Sequence, residues 1–99
     1  MAPDALTVHG VNQNEIQTRP NRPTTRLLFG ETVGNPGLDV LDIPTVASIA
    51  HEAGVPLLVD STLTSPWLMQ PLNLGADLVY HSATKFLSGH GTVVGGIVV

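Results

Sequence analysis

The chain has 99 residues, a formal net charge of −4 and no cysteine. Only four residues are lysine or arginine, which leaves no basic surface for a nucleic-acid backbone, and the lack of cysteine excludes disulfides and thiolate metal sites. No apolar stretch approaches the ~20 residues of a membrane-spanning helix, and the first residues lack the pattern of a signal peptide. We therefore expect a globular cytoplasmic protein that binds neither nucleic acid nor a membrane.

The N-terminal quarter of the chain differs in composition from the rest. Residues 1–25 are rich in proline and in polar amide side chains, and they keep neither helical nor strand periodicity for long. The pattern becomes ordered from Arg26 onward. We therefore predict a loose N-terminal segment over residues 1–25 and a partial domain over residues 26–99.

The next stretch predicts a strand, a helix and a second strand. Leu27–Phe29 is apolar and is followed by a turn over Gly34–Gly37. The helix is predicted to begin after Asp42, which can accept hydrogen bonds from the first free backbone amides, and to stop at Gly54. The apolar run Val55–Val59 is typical of a strand that is buried on both faces.

Two further strands complete the predicted sheet. Leu78–Tyr80 follows a short crossover over Trp67–Leu74 that proline interrupts, and Val93–Val99 is a last apolar strand. One good helix and one poor helix cannot cover both faces of about four strands. The expected fold class is α/β, with a partial, mostly parallel sheet and crossover helices, and we expect the chain to be a piece of a larger domain or to exist only within an assembly.

Polar side chains directly follow two of the predicted parallel strands. Asp60 ends the second strand, and Ser82, Thr84 and Lys85 follow the third. Ligands of parallel α/β sheets bind outside the carboxyl ends of the strands, so a carboxylate, two hydroxyls and an amine are expected to converge there. Lys85 is the only lysine of the chain, which favours a chemical role over a role in solubility.

Four motifs occur in order along the chain. They are Glu31–Gly37 (ETVGNPG), Ile49–Gly54 (IAHEAG), Leu58–Thr62 (LVDST) and His81–Gly91 (HSATKFLSGHG). Together they closely resemble the Cys/Met-metabolism family of fold-type I pyridoxal-phosphate enzymes, and the phrases around Asp60 and Lys85 are most similar to those of the O-acetylhomoserine sulfhydrylases. The resemblance covers about residues 26–99, which would then be part of the cofactor-binding domain.

The resemblance implies pyridoxal 5'-phosphate as the cofactor and gives a role to each candidate residue. Lys85 would hold the cofactor covalently and then move protons between substrate carbons, and Asp60 would pair with the pyridine nitrogen. Ser82 and Thr84 would bind the phosphate. Asn35 would lie near the phenolic oxygen of the cofactor and the carboxylate of the substrate. The histidines lack ligand spacing with a carboxylate, so no metal site is predicted.

The implied reaction is replacement at the γ-carbon of O-acetyl-L-homoserine by sulfide or a thiol, which releases acetate and gives homocysteine or a related thioether and serves methionine synthesis. The intact family implies a homo-oligomer, a tetramer, that acts on a small amino-acid substrate. Two alternatives stay open at this point. The chain could be a cystathionine synthase or lyase of the same family, or a truncated, non-catalytic remnant that binds a homologous subunit.

Overall fold

The computed structural model describes residues 4–8, 25–34 and 37–99, which form a single sheet with helices along it. The sheet has five strands in the order β1-β2-β3-β4-β5. The strands are β1 Asp4–Val8, β2 Thr25–Glu31, β3 Leu57–Asp60, β4 Leu78–Ser82 and β5 Gly96–Val98. The helical elements are α1 Ile43–Glu52, α2 Ser65–Leu68, a 3-10 helix Pro71–Leu74 and a π-helical turn Ala83–Leu87.

The predicted fold class is confirmed, since β1 to β4 run parallel and only β5 is antiparallel to its neighbour β4. The elements differ from the prediction in detail. Strand β1 lies inside the segment that the sequence predicts to be loose, and it pairs with β2 with Ala5 opposite Leu27. The last strand is shorter than predicted, because only Gly96–Val98 pairs with β4 as regular strand. Residues 9–24 lie outside the described residues.

Helix α1 begins and ends where the sequence predicts. The Asp42 carboxylate accepts hydrogen bonds from the backbone N–H of Thr45 at 3.2 Å and from its hydroxyl at 2.8 Å, and this satisfies amides that the first helical turn leaves free. Pro44 stands in the first turn, where its missing N–H costs nothing. Gly54 follows the helix with φ of +73°, a conformation that L side chains rarely adopt.

The hydrophobic core lies between α1 and one face of the sheet. Val46 and Ala50 of α1 are fully buried against Leu28, Leu57 and Val59 of β2 and β3. Because side chains alternate along a strand, the neighbours of these residues point to the other face of the sheet. We call the two surfaces the α1 face and the opposite face. The side chains of the opposite face remain partly exposed.

The Asp77 carboxylate joins three elements on one side of the core. Its Oδ2 accepts a hydrogen bond from the backbone N–H of Leu57 at 2.8 Å and lies 2.9 Å from Nε2 of His51 at the end of α1. The backbone N–H of Asp77 donates to the carbonyl of Leu57 at 3.0 Å. One residue thus fixes the start of β3 relative to α1 and to the entry of β4.

We expect an Asp77→Asn variant to lose stability in a pH-dependent way. Partial burial acts to raise the pKa of Asp77, but the Leu57 N–H and the hydrogen bond and charge of His51 outweigh it, so that the pKa lies below its ordinary value. The stabilisation is therefore complete above the ordinary carboxyl pKa and is lost as the pH falls through the lowered pKa.

Urea unfolding of both proteins at about pH 7 and at about pH 3, on either side of the ordinary carboxyl pKa, tests this expectation. The variant should have the lower midpoint at the higher pH, and the difference should shrink on acidification. Glu52→Gln, an exposed change at the end of α1, serves as the control. A difference for Asp77→Asn that is the same at both pH values would contradict the account.

Candidate functional site

The carboxyl ends of β3 and β4 open into a cavity of about 600 Å³ on the opposite face of the sheet. Asp60 lies at the end of β3, and Ser82, Thr84 and Lys85 lie at and after the end of β4, all in the wall of this cavity. Asp60 is the register partner of Tyr80, so Ser82, two residues further along β4, points to the same face. The structure thus brings four of the five candidate residues together. The fifth, Asn35, lies outside the described residues.

The Asp60 carboxylate is half-buried and held from one side. Its Oδ1 accepts two hydrogen bonds from Thr62, one from the backbone N–H at 3.0 Å and one from the hydroxyl at 2.6 Å. Within the described part of the chain, Oδ2 has no hydrogen-bond partner. A carboxylate with one fixed and one available oxygen can receive a protonated ring nitrogen or another cationic donor.

Thr62 links the two strand ends, and the sequence interpretation missed it. Its hydroxyl donates to Asp60 and accepts a hydrogen bond from the backbone N–H of Ser82 at 2.9 Å, across 20 residues of sequence. The hydroxyl therefore fixes the position of the Asp60 carboxylate relative to the backbone of Ser82. A threonine two residues after an aspartate is a common turn pattern. The sequence therefore carries a signal for the contact of Thr62 with Asp60, but none for its contact with Ser82.

Three buried hydroxyls support the turn that follows β3. Ser61 Oγ and Thr64 Oγ1 are 2.7 Å apart, and Thr64 Oγ1 is 3.1 Å from Thr32 Oγ1. The backbone N–H of Ser61 donates to the carbonyl of Tyr80 at 2.9 Å, which continues the ladder between the strands. Because buried hydroxyls are costly unless paired, this chain of hydrogen bonds fixes the turn in one arrangement.

The hydroxyls of Ser82 and Thr84 differ in their hydrogen bonding. The Ser82 hydroxyl makes no hydrogen bond to any described residue. The Thr84 hydroxyl accepts from the backbone N–H of Gly95 at 3.1 Å and lies 3.4 Å from the Gly95 carbonyl oxygen. Ser82 is therefore free to bind an anion in the cavity, whereas Thr84 would share its hydroxyl with the entry to β5.

Lys85 lies in the π-helical turn, at the point where the backbone leaves the helical conformation with φ −92° and ψ −121°. Hydrogen bonds from the N–H of Ser88 to the Ala83 carbonyl and from the N–H of Gly89 to the Lys85 carbonyl, at 3.1 and 3.0 Å, hold this turn. The side chain is exposed, and its amine has no hydrogen bond or ion pair with the described residues. The amine is thus available to a carbonyl compound in the cavity.

The described residues bear on two further classes of site, metal sites and membrane-spanning helices. In residues 4–8, 25–34 and 37–99, no group of three histidine, aspartate or glutamate side chains could hold a metal ion. Within the same ranges, none of the helices has the length and apolar character needed to cross a membrane. His90 Nδ1 lies 2.9 Å from the Ser88 carbonyl oxygen, so this histidine belongs to the loop after Lys85.

The chain has well-defined relatives. The family model for "Cys/Met metabolism PLP-dependent enzyme" matches residues 4–99. The O-acetyl-L-homoserine sulfhydrylase of Leptospira meyeri is 49% identical over a match that covers 95% of this chain and 22% of its own length. The cystathionine gamma-lyase of Bacillus subtilis is 54% identical over a match that covers 79% of this chain and 21% of its own length. A cystathionine gamma-lyase structure from Micromonospora echinospora superposes with a TM-score of 0.82 at 44% identity, over 85% of this chain and 22% of that one. The chain spans about a fifth of the length of these relatives.

We expect Thr62→Val to lower the free energy of unfolding by about 1 kcal/mol or more, because it leaves an acceptor on Asp60 and the donor of Ser82 without their partner. Thr62→Ser keeps the hydroxyl and should lose clearly less, although serine lacks the stiff β-branched side chain. Urea unfolding of both variants beside the parent protein measures the difference. A valine variant as stable as the parent protein would show that the hydroxyl bridge contributes nothing, and a serine variant that loses as much as valine would show that the hydroxyl contributes no more than the methyl group.

Proposed function

Because the chain belongs to the Cys/Met metabolism family of PLP-dependent enzymes, we propose that it forms part of the pyridoxal-phosphate site of an enzyme acting on O-acetyl-L-homoserine. The proposed reaction replaces the γ-acetoxy group and releases acetate, and it gives homocysteine when the acceptor is sulfide or a related thioether when the acceptor is a thiol. The observation that carries the proposal is the convergence of Asp60, Ser82, Thr84 and Lys85 on one cavity at the ends of two parallel strands.

The residues around the cavity fit the cofactor. A volume of about 600 Å³ is within the roughly 300–1,000 Å³ of typical small-molecule sites. Lys85 offers an uncommitted amine for a carbonyl carbon, Asp60 offers a carboxylate oxygen for a ring nitrogen, and Ser82 offers an uncommitted hydroxyl for a phosphate. Each of these groups matches a different functional part of pyridoxal phosphate.

Lys85 is the proposed catalytic residue. Its amine has no competing partner among the described residues, and the two backbone hydrogen bonds across the π-helical turn fix where the side chain starts. The amine would hold the cofactor covalently between turnovers. When it is not bonded to the cofactor, the same amine would lie in the cavity and could take the proton from the α-carbon of the substrate.

Asp60 is the proposed partner of the ring nitrogen. When bound, pyridoxal phosphate accepts the electron pair left at the substrate α-carbon, and a protonated ring nitrogen strengthens this effect. Thr62 engages Oδ1 and Asp60 lines the cavity, so Oδ2 is the oxygen left to accept a hydrogen bond from the ring nitrogen. A charged carboxylate at a half-buried strand end is costly without a cationic partner, which supports a positively charged ring in its place.

Ser82 and Thr84 are the proposed ligands of the phosphate. Both lie in the wall of the cavity, and the Ser82 hydroxyl has no other described partner. Hydrogen bonds to a charged phosphate are stronger than those between neutral groups. Asn35 is proposed, on the resemblance alone, to lie near the phenolic oxygen of the cofactor and the carboxylate of the substrate.

We also propose that the whole enzyme is a homo-oligomer, a tetramer.

The choice of the sulfhydrylase reaction rests on a feature of the sequence and not on the extent of the similarity. The O-acetyl-L-homoserine sulfhydrylase of Leptospira meyeri and the L-methionine gamma-lyase of Porphyromonas gingivalis each match 95% of this chain, at 49% and 51% identity. Ser61 stands where cystathionine synthases and lyases more often carry asparagine. The second candidate is therefore a lyase that eliminates the γ-substituent, on the same cofactor site.

We expect the protein loaded with pyridoxal phosphate to convert O-acetyl-L-homoserine and sulfide into equal amounts of homocysteine and acetate. Product analysis by mass spectrometry, with and without sulfide, tests the reaction, and Lys85→Ala is the negative control. An oxo acid as the main product in the presence of sulfide would show that the protein acts as a lyase and not as a sulfhydrylase. Cofactor binding without any product would favour the non-catalytic remnant that binds a homologous subunit.

We expect Ser82→Ala to weaken binding of pyridoxal phosphate about tenfold, the loss of one hydrogen bond to a charged group, and to leave binding of pyridoxal, which lacks the phosphate, unchanged. Titration followed by cofactor absorbance measures both affinities. Ser48→Ala on the exposed side of α1 is the matched control. Equal losses for the two ligands would show that Ser82 acts on the fold and not on the phosphate.

A further inference from the structure

Tyr80 is the only tyrosine of the chain, and it lines the same cavity as Ser82, Thr84 and Lys85. It lies on β4 two residues before Ser82, so the two side chains point to the opposite face of the sheet together. Tyr80 is half-buried, and its hydroxyl makes no hydrogen bond to any described residue. An enclosed phenol usually has a hydrogen-bond partner, so a ligand in the cavity is the partner that we expect.

The phenol ring of Tyr80 lies against Gly96 of β5. A β-carbon built on Gly96 would be 2.9 Å from Cε2 of Tyr80 and 3.1 Å from its hydroxyl oxygen. The first distance is too short for a real contact, so the ring occupies space that a side chain at position 96 would fill. Because β3 and β5 lie on opposite sides of β4, the hydroxyl is on the side of β4 away from Asp60.

Three hydroxyls meet around the start of β5. Gly96 is the register partner of Ser82, and register partners of antiparallel strands have Cα atoms about 4.5–5.5 Å apart. The hydroxyl of Thr84 accepts a hydrogen bond from the backbone N–H of Gly95 at 3.1 Å. The Tyr80 hydroxyl is next to Gly96 itself. The hydroxyls of Tyr80, Ser82 and Thr84 are therefore neighbours around two successive glycines.

The two sides of the cavity differ in charge. Glu31 and Asp60 are register partners on β2 and β3, so the carboxylates lie on one side of the wall. On the other side, after β4, the described residues of the wall carry hydroxyls and no carboxylate. Lys85 is the one cation among the described lining residues, and its amine is proposed to bond to the carbonyl carbon. A phosphate on the hydroxyl side thus depends on neutral O–H donors from this part of the chain.

We propose that Tyr80 is a third hydroxyl ligand of the cofactor phosphate, beside Ser82 and Thr84, and that Gly96 leaves the space that the phenol occupies. This inference rests on the proposed function, since it names a further binding residue of the same site. A phenol donates one hydrogen bond, and hydrogen bonds to a charged phosphate are stronger than those between neutral groups. Thr84 shares its hydroxyl with Gly95, whereas the Tyr80 hydroxyl has no described partner to give up.

Tyr80→Phe tests the proposal, because it removes one oxygen and keeps the ring. We expect the affinities for pyridoxal phosphate and for pyridoxine 5'-phosphate to fall about tenfold, the loss of one hydrogen bond to a charged group. The affinities for pyridoxal and pyridoxine, which lack the phosphate, should stay unchanged. Calorimetric titration measures all four, and Ser48→Ala, which removes an exposed hydroxyl from α1, is the control. Equal losses with and without the phosphate, or no loss at all, would overturn the proposal.

Gly96→Ala tests the part of the proposal that concerns space. The added β-carbon should displace the phenol and weaken binding of the two phosphate esters, but it should cause no further loss in the Tyr80→Phe protein. Gly95→Ala is the comparison, since its β-carbon would meet only the β-carbon of Ala83, at an ordinary 3.9 Å. A full second loss in the double variant, or equal losses for the two glycines, would show that Gly96 does not act through the phenol.

Carbon-13 NMR gives a reading that does not depend on activity. Tyrosine labelled at Cζ gives a single signal, because Tyr80 is the only tyrosine. The signal should move when pyridoxine 5'-phosphate is added and clearly less when pyridoxine is added. Equal movement with both ligands would contradict a contact with the phosphate.

The inference and the proposed function can fail separately. Pyridoxine 5'-phosphate has no aldehyde, so its binding does not require a bond to Lys85. If Tyr80→Phe weakens its binding while pyridoxal phosphate forms no adduct with Lys85, the proposed catalysis is refuted and the phosphate contact stands. If the adduct forms and Tyr80→Phe has no effect on either phosphate ester, the contact is refuted and the proposed function stands.

Discussion

The hydroxyl of Thr62 is the contact on which the geometry of the site depends. It donates to Asp60 and accepts from the backbone N–H of Ser82, so that it connects the ends of two parallel strands that are 20 residues apart in sequence. Parallel strands need a crossover between them, and their ends are otherwise related only through the backbone ladder. The hydroxyl bridge adds a direct side-chain link at the place where the cofactor is proposed to bind. The bridge therefore fixes the Asp60 carboxylate relative to the backbone of Ser82, whose hydroxyl is proposed to bind the phosphate.

Strand β4 separates two surfaces of different chemistry. Its residues on the opposite face line a cavity with carboxylates, hydroxyls and an amine, whereas its residues on the α1 face line a largely apolar cavity that also contains the buried imidazole of His81 and the side chains of Gln70 and Asn73. Because side chains alternate along a strand, a shift of one residue in register would exchange the two sets. The hydrogen bonds between Val79 and Val99 help to hold that register. The same strand thus presents the residues of the proposed chemistry on one face of the sheet only.

Much of this arrangement could be predicted from the sequence because it is local. The apolar runs before Asp60 and His81 indicate buried strands, and the carboxyl ends of parallel strands place their polar residues at one edge. The bridge made by Thr62 could not be predicted, since its partner Ser82 is close only in the folded chain. The direction of β5 depends on how the chain returns after the π-helical turn, which a short apolar run does not encode. Strand β1 was missed because its residues lie in a polar, proline-rich stretch and gain their structure by pairing with β2.

The proposed function requires that pyridoxal phosphate bonds to the amine of Lys85. Reduction with borohydride in the presence of the cofactor, followed by peptide mass spectrometry, tests this bond with little background, because Lys85 is the only lysine of the chain. We expect a pyridoxyl group on the peptide that contains Lys85, at a cofactor concentration that leaves the N-terminal amine unmodified. A pyridoxyl group on the N-terminus alone, or no covalent adduct at all, would contradict it.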